Sequence, residues 1–442
     1  MKDLGPDAIL IRPIVEWGRG FYWTAGILLI LGFGGLTAWF YQLYWGLGVT
    51  GLNWPVFWGI YITNFVFFIG ISHAGTLISA ILRLCHAEWR RPITRAAEVI
   101  TVMVLFFGAG SIILDLGRPD RVGHVILHGQ LRSPLMWDVI SVSTYLTGSI
   151  IYLYLPLIPD IAILRDLFPS SRFYRWLSLG WQGTPRQKHR LERAISVMAI
   201  VIVPIAVSVH TVVSWVFAMT VQPGWHSTIF GPYFVVGAIF SGIAALIVAM
   251  ALVRRFYHLE NYLKDICFNH LGLLLLVMSL LWFYFTFAEY ITTYYGGEPV
   301  HMSVFYSKLT GHWAPLFWAM VVCNFVIPFP ILAIRRTRTV TGCVVASLAV
   351  IVGMWLERYT IVVPTLSGPR LPIDFAAYSP SWVEWALTVS FFSFFILFYL
   401  LFTRVFPIVS IWEIQEGRET SLREVTERVR EYLPGTSLKE NI

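Results

Sequence analysis

Leu114-Asp115-Leu116-Gly117-Arg118-Pro119-Asp120-Arg121 closes an apolar run that begins near residue 96. A run of about 20 apolar residues is long enough to cross a bilayer core as a helix. This one stops at a glycine and a proline, both helix-stop signals, set among acids and arginines. The stretch is therefore the end of a spanning helix. A carboxyl and guanidinium groups at the lip of a membrane are also a place where protons can pass between oil and water.

Working outward, the rest of the chain has the same character. Of 442 residues, 57% are hydrophobic and 13% charged, against about 45–50% and 25% in soluble domains. The expected fold is an all-α integral membrane protein with about ten transmembrane helices, near 21–44, 55–82, 96–115, 136–158, 194–218, 228–253, 268–294, 313–334, 340–363 and 382–405. Cytoplasmic loops are enriched in Lys and Arg. With the N-terminus inside, 26 of the 32 lysines and arginines face the cytoplasm. Residues 1–20 then form a cytoplasmic N-terminal segment, 21–405 the membrane domain and 406–442 a cytoplasmic tail. The first twenty residues carry charges without a short apolar core or cleavage site, so no signal peptide is expected. The bilayer is the solvent, and the cations face lipid headgroups; nothing points to nucleic acid.

Pro159 to Arg193 holds seven of the cations with Trp176 and Trp181, and reads as an interfacial cytoplasmic segment. The tail from Glu413 to Glu431 alternates charges, with pairs such as Glu424 and Arg428, and reads as a solvated helix. Trp54-Pro55-Val56-Phe57 and Gly231-Pro232-Tyr233-Phe234 open the second and sixth spans. His210-Thr211-Val212-Val213 in the fifth is echoed by Tyr359-Thr360-Ile361-Val362 in the ninth. This faint repeat predicts two four-helix bundles, spans 2–5 (about 55–218) and 6–9 (about 228–363), with spans 1 and 10 peripheral.

An ionisable group at mid-membrane costs about 2.5–3.5 kcal/mol on insertion scales, so each asks for a partner, a wet cavity or a function. Asp115 and Arg118 end span 3, Asp138 begins span 4, and His210 and Ser214 lie in span 5. His73 and Thr76 lie in span 2, Glu289 in span 7, and Glu357 and Arg358 in span 9. Each has an ordinary reading. Asp115 can bridge Arg118 three residues on, Asp138 can serve its helix dipole, His73 can bond a neighbouring helix, and Glu357 can pair with Arg358. The functional reading rests on depth. Asp115, Arg118 and Asp138 fall at the outer edge, with His210 about 12 Å below the outer end of span 5 and His73 about 15 Å from Arg83 at the inner edge.

Bis-histidine haem does not fit, because His73 and His86 lie on different faces of a helix and His86 falls at its cytoplasmic end. The four cysteines show no CxxC or CxxCH spacing, which argues against iron–sulfur ligation, c-type haem attachment and a disulfide framework.

Leu116-Gly117-Arg118-Pro119 resembles the LGRP signature that closes the third helix of NrfD and polysulfide-reductase membrane subunits. Residues 71–79 (ISHAGTLIS), 133–138 (SPLMWD), 223–230 (PGWHSTIF) and 355–359 (WLERY) resemble the quinol-binding NrfD-like subunit of bacterial alternative complex III. The resemblance implies two four-helix bundles plus two peripheral helices in the bacterial cytoplasmic membrane. It implies menaquinol as bound substrate near the periplasmic face, with no haem, metal or iron–sulfur cluster on this chain. Implied partners are a periplasmic iron–sulfur subunit of molybdopterin-enzyme type, multihaem cytochromes c and a second NrfD-like subunit.

Carried over by motif, the site uses Thr76, the LGRP helix end, Asp138 and the outer part of span 5. Relatives often have histidine immediately before LGRP, where this chain has Asp115, and can have an acid shortly after the span 5 histidine, where it has Trp215 and Val216.

The expected chemistry is quinol oxidation, with Asp115, Asp138 and His210 as proton-accepting groups and His73, Thr76, Arg118 and Ser214 around the quinol. Arg118 is expected to hold Asp115 in place. A second expectation is a proton pathway through His73, Glu289, Glu357 and Arg358. The competing classes are a quinone-reducing or purely anchoring subunit, and a secondary transporter or channel. The transporter reading lacks visible Gly/Pro-broken helix pairs at matched depth.

Overall fold

A backbone crossing hydrocarbon must satisfy its own hydrogen bonds, and the apolar runs do so as helices. The computed structural model describes residues 7–73, 75, 78–368 and 378–418. Among them nine helices are long and apolar enough to cross a membrane, and a tenth apolar helix is shorter. In chain order they are α1 (Arg19–Trp45), α2 (Ile60–His73), α3 (Thr94–Asp115), α4 (Pro134–Leu167), α5 (Pro185–Ala218), α6 (Phe230–Tyr257), α7 (Asp265–Gly296), α8 (Ala314–Ala333), α9 (Val340–Leu366) and α10 (Trp382–Val405). The chain is a multi-pass, all-α membrane protein.

Two crossings are interrupted. After His73, α2 leaves the α pattern, passes through π geometry at Gly75 and Ile78, and resumes as Ser79–Leu84. Glycine is required there, because a Cβ on Gly75 would lie 2.0 Å from the Ala97 carbonyl oxygen and 2.1 Å from Thr101 Oγ1 of α3. In α8 a π turn spans Val322–Val326. Its cause is Pro328, which has no N–H to offer the Asn324 carbonyl four residues back. Ser279 Oγ of α7 donates to that carbonyl instead, at 2.8 Å. The two breaks fall in the second and eighth crossings, which do not correspond in the repeat.

The helices group as α2–α5 and α6–α9, with α6 lying against α2 and α5, and α9 against α2. The outlying pair α1 and α10 pack along each other, and α10 rests on α3. Arg418 donates to both carboxylate oxygens of Asp7, at 2.9 and 3.1 Å. The two described ends of the chain therefore meet at one end of the molecule, as an even number of crossings requires. That end is called inner, and the Asp115 end outer, after the orientation the cations predict.

The inner face carries two helical segments outside the expected spans. The interfacial segment 159–193 is largely helix, because α4 continues to Leu167 and α5 already begins at Pro185. Thr184 and Gln187 form a capping box in front of that proline, a start signal present in the sequence. The tail is not simply solvated. Residues 411–418 are helical and docked, with Ile408, Val409, Ile411 and Glu413 buried. Glu424 and Arg428 lie outside the described residues.

Candidate functional site

The first bundle places two imidazoles ring to ring. His73 on α2 and His210 on α5 have no solvent exposure, and their ring centroids are 3.8 Å apart. His73 Nε2 lies 2.8 Å from the Ala206 carbonyl oxygen. A carbonyl can only accept, so Nε2 carries the proton and the lone pair sits on Nδ1. Among the described residues that Nδ1 has no hydrogen-bond partner, and neither does either nitrogen of His210. Tyr145 of α4 meets the His73 ring edge-on at 5.6 Å. The expected interhelical hydrogen bond of His73 is thus present, and a second buried base lies beside it.

Asp138 lies in the first turns of α4, 7% exposed, and its Oδ1 has no partner. Its neighbours Trp137 and Ser141, with Ile140 and Thr144, form one wall of a groove whose other wall is Ile205, Ser208, Val209 and Val212 of α5. The groove has a volume of about 320 Å³, opens sideways between the two helices, and is mostly apolar. Asp138 and His210 are thus each adjacent in sequence to groove residues. Ser214 is buried, but its hydroxyl donates to its own helix at the Thr211 carbonyl, 2.7 Å away. Thr76 lies outside the described residues.

Asp115 keeps different company. It is partly buried, with Oδ1 unpartnered, and the groups within electrostatic reach are Glu384 of α10 and Tyr61 of α2. Tyr61 donates to Gln42 of α1 at 2.5 Å, and Gln42 in turn donates to the Leu114 carbonyl at 2.8 Å. Glu384 accepts from Gly51 N–H and from the Tyr378 hydroxyl, both at 2.6 Å. No hydrogen bond or charge contact among the described residues joins Asp115 to Asp138 or His210. Arg118 does not hold Asp115 either. It pairs with Asp120 at 2.9 Å, and both side chains are more than half exposed. The reason is Gly117, whose φ of +62° turns the chain out of the helix before Arg118. The i,i+3 geometry that would bring an arginine back to Asp115 therefore never forms.

The second bundle carries an ion pair where the first carries imidazoles. Arg358 and Glu357 of α9 are each 1% exposed and approach to 3.0 Å. Trp282 Nε1 donates to Glu357 Oε1 at 3.0 Å, and the guanidinium lies 4.8 Å from the centre of the Phe234 ring. Arg358 also reaches across the bundle boundary, within electrostatic range of His73 and His210.

Above the pair is a cavity of about 40 Å³ lined by Tyr233, Thr286, Glu289, Tyr290, Lys308 and Glu357, among others. That is room for a few waters. Lys308 sits on a short outer helix, Pro299–Leu309. Burial brings its ammonium down to about 8, against the opposing pull of Glu289.

Lys308, Glu384, Glu98 and Asp160 were not singled out from the sequence. Glu98 and Asp160 sit near helix ends, where charges normally reach water. Lys308 and Glu384 are outer-edge residues whose burial depends on loops packing over them. The readable signals were a capping acid three residues after Ser381, and Asp160 directly after Pro159 inside α4.

Comparison with known proteins agrees with this architecture. The chain matches the family described as polysulphide reductase, NrfD, over residues 48–367. It is 31% identical to the membrane subunit of a putative dimethyl sulfoxide reductase of Halobacterium salinarum, over 57% of this chain and 56% of that one, so it matches about half of that relative's length. Identity is 25% to a selenate reductase subunit of Mesobacillus selenatarsenatis, covering 88% and 94% of the two chains. It is 22% to the Hdr-like menaquinol oxidoreductase integral membrane subunit of Archaeoglobus fulgidus, covering 90% and 97%.

Proposed function

The chain belongs to the polysulphide reductase NrfD family, and from that premise we propose that it is the quinol-reactive membrane subunit of a respiratory or photosynthetic oxidoreductase complex. Menaquinol gives up two electrons and two protons at the outer end of the first bundle. The electrons pass to an iron–sulfur subunit on the periplasmic side, the complex also containing multihaem cytochromes c and a second NrfD-like subunit, in a bacterial cytoplasmic membrane.

The observation that carries this reading is the groove between α4 and α5. It is apolar, open toward lipid and large enough for a quinone ring, and residues next to Asp138 and His210 form its walls. A quinol hydroxyl needs a base beside it, and a carboxylate or an imidazole with a free lone pair can take that proton. The menaquinol oxidoreductase among the relatives supports the same substrate class.

Asp138→Asn and His210→Ala should each lower quinol-dependent electron transfer in the assembled complex by about 100-fold or more, the usual loss when a general base is removed. Asp115→Asn should do the same if the quinol head reaches the Tyr61 side. Unchanged turnover in the first two variants would remove the groove from the mechanism.

A second reading extends the first. The cavity beside Glu357 and the reach of Arg358 to the histidine pair support a proton route from His73 through Arg358 and Glu357 to Glu289, so that quinol oxidation drives translocation. An unchanged proton-to-electron ratio for Glu289→Gln in proteoliposomes would end it.

A further inference from the structure

At the inner end of the first bundle, α3 carries another carboxyl, 17 residues before Asp115 and so about 26 Å away along the same helix. Glu98 is 3% exposed. Its Oε1 accepts from Ser79 Oγ at 2.7 Å, Ser79 shares a hydrogen bond of 3.2 Å with the Tyr152 hydroxyl, and Glu98 Oε2 has no partner.

The cations around it are all engaged elsewhere. Arg95 pairs with Asp160 and donates to the Pro156 carbonyl and Ser410 Oγ. Arg83 and Arg90 face Glu413 at 2.7 and 3.5 Å. Among the described residues Glu98 is therefore a buried carboxyl with no counter-ion in contact, able to gain or lose a proton without breaking an ion pair.

We infer that Glu98 is a proton-binding site that loads from the inner face of the membrane, and that the docked segment 407–418 closes its entrance. Polar groups continue from Glu98 in both directions. Outward, Thr101 lies one turn further along α3 and donates to the Ser72 carbonyl at 2.6 Å. The Tyr145 hydroxyl donates to the same carbonyl at 3.0 Å, and the Tyr145 ring meets His73. Inward, Tyr152 leads to Arg83 and Arg90, and these to Glu413. The break in α2 lies on this line, since Ser79 is the first residue of the resumed helix.

Segment 407–418 covers the mouth. Asp160 accepts the backbone N–H groups of Ile411 and Trp412 at 3.1 and 3.0 Å, and Glu413, 1% exposed, fills the space between the two arginines. The segment is held by these polar ties and by buried Ile408, Val409 and Ile411, and its opening is a local event distinct from separation of the membrane helices. The proton-binding role stands without the quinone reading; only the use of that proton at the His73–His210 pair rests on it.

The test is site-resolved labelling with a carbodiimide, which adds to a protonated carboxyl. The full-length chain in its native membrane is treated with dicyclohexylcarbodiimide across a pH series, and adducts are located by mass spectrometry. The expected result is an adduct on Glu98 whose yield falls as pH rises; it should persist in Glu98→Asp and vanish in Glu98→Gln.

A water-soluble carbodiimide added from the inner side should label Glu98 about tenfold faster in Glu413→Ala than in the unaltered chain, because that change frees the segment from Arg83 and Arg90. Equal rates would overturn the closing role of the segment. No adduct on Glu98 at any pH, in a sample where Asp115 or Glu289 is labelled, would overturn the site. Quinol-dependent electron transfer is measured in the same membranes. Its absence alongside a labelled Glu98 would overturn the quinone reading and leave the proton site standing.

Discussion

In the first bundle two imidazoles lie ring to ring without a charge partner, beside a groove open to lipid. In the second, Glu357 and Arg358 pair at 3.0 Å, and Glu357 lines a cavity with room for a few waters. The two bundles have chemically unlike interiors. A neutral imidazole can be buried for the cost of a polar group, and it tolerates an apolar ligand beside it. A carboxylate and a guanidinium need each other, and they need water or dipoles to complete their bonding. The proposed quinol chemistry uses the first interior, and the proposed proton route uses the second.

The contrast is broken most severely at Arg358. Arg358→Ala leaves Glu357 buried without its cation, and about 3–5 kcal/mol of stability should be lost. A detergent thermal melt would measure this, and a loss no larger than that of His210→Ala would mean the two interiors are energetically alike.

Lys308 tests the wet character of the second cavity. Its folded value of about 8 lies below the ordinary 10.5, so burial of the charged form costs stability at low pH. The unfolded chain holds the extra proton between those values, so stability should rise with pH across that window, by about 3 kcal/mol in total. Lys308→Met should remove that rise, and a rise of equal size in the variant would assign it to another group.

The groove is sharpened by filling it. Val212→Trp should raise the KM for quinol about tenfold, equivalent to about 1.4 kcal/mol, with little change in melting temperature. An unaltered KM would move the quinol elsewhere. The smallest effect is expected at Tyr145, where Tyr145→Phe removes one hydrogen bond to the Ser72 carbonyl and about 1 kcal/mol of stability.

Part of the site was legible in the sequence. His73, His210, Glu357 and Arg358 announced themselves because an ionisable residue deep in an apolar run has no water to explain it. Asp115 and Asp138 were legible as outer-edge acids, but not their neighbours. Asp115 turned toward Tyr61 and Glu384, and Arg118 was carried away by the turn at Gly117. Glu98 was hidden because it stands near the end of its span, where acids are ordinary. It took the packing of Ser79, Tyr152 and segment 407–418 to show that it is buried.

By itself the sequence determined that this is a helical protein of the bilayer, roughly where its helices run, and which of them carry polar groups at depth. Those properties follow from local composition, since about twenty residues of apolar character commit a segment to the membrane whatever its neighbours are. Only the tertiary structure decided which of those polar groups meet: histidine with histidine, Arg358 with Glu357 and Phe234, and Glu413 with Arg83 and Arg90. Such partnerships depend on how helices distant in sequence rotate and approach, and on breaks such as the one at Gly75. Hydrophobicity sets the depth of a side chain, whereas helix packing sets its company.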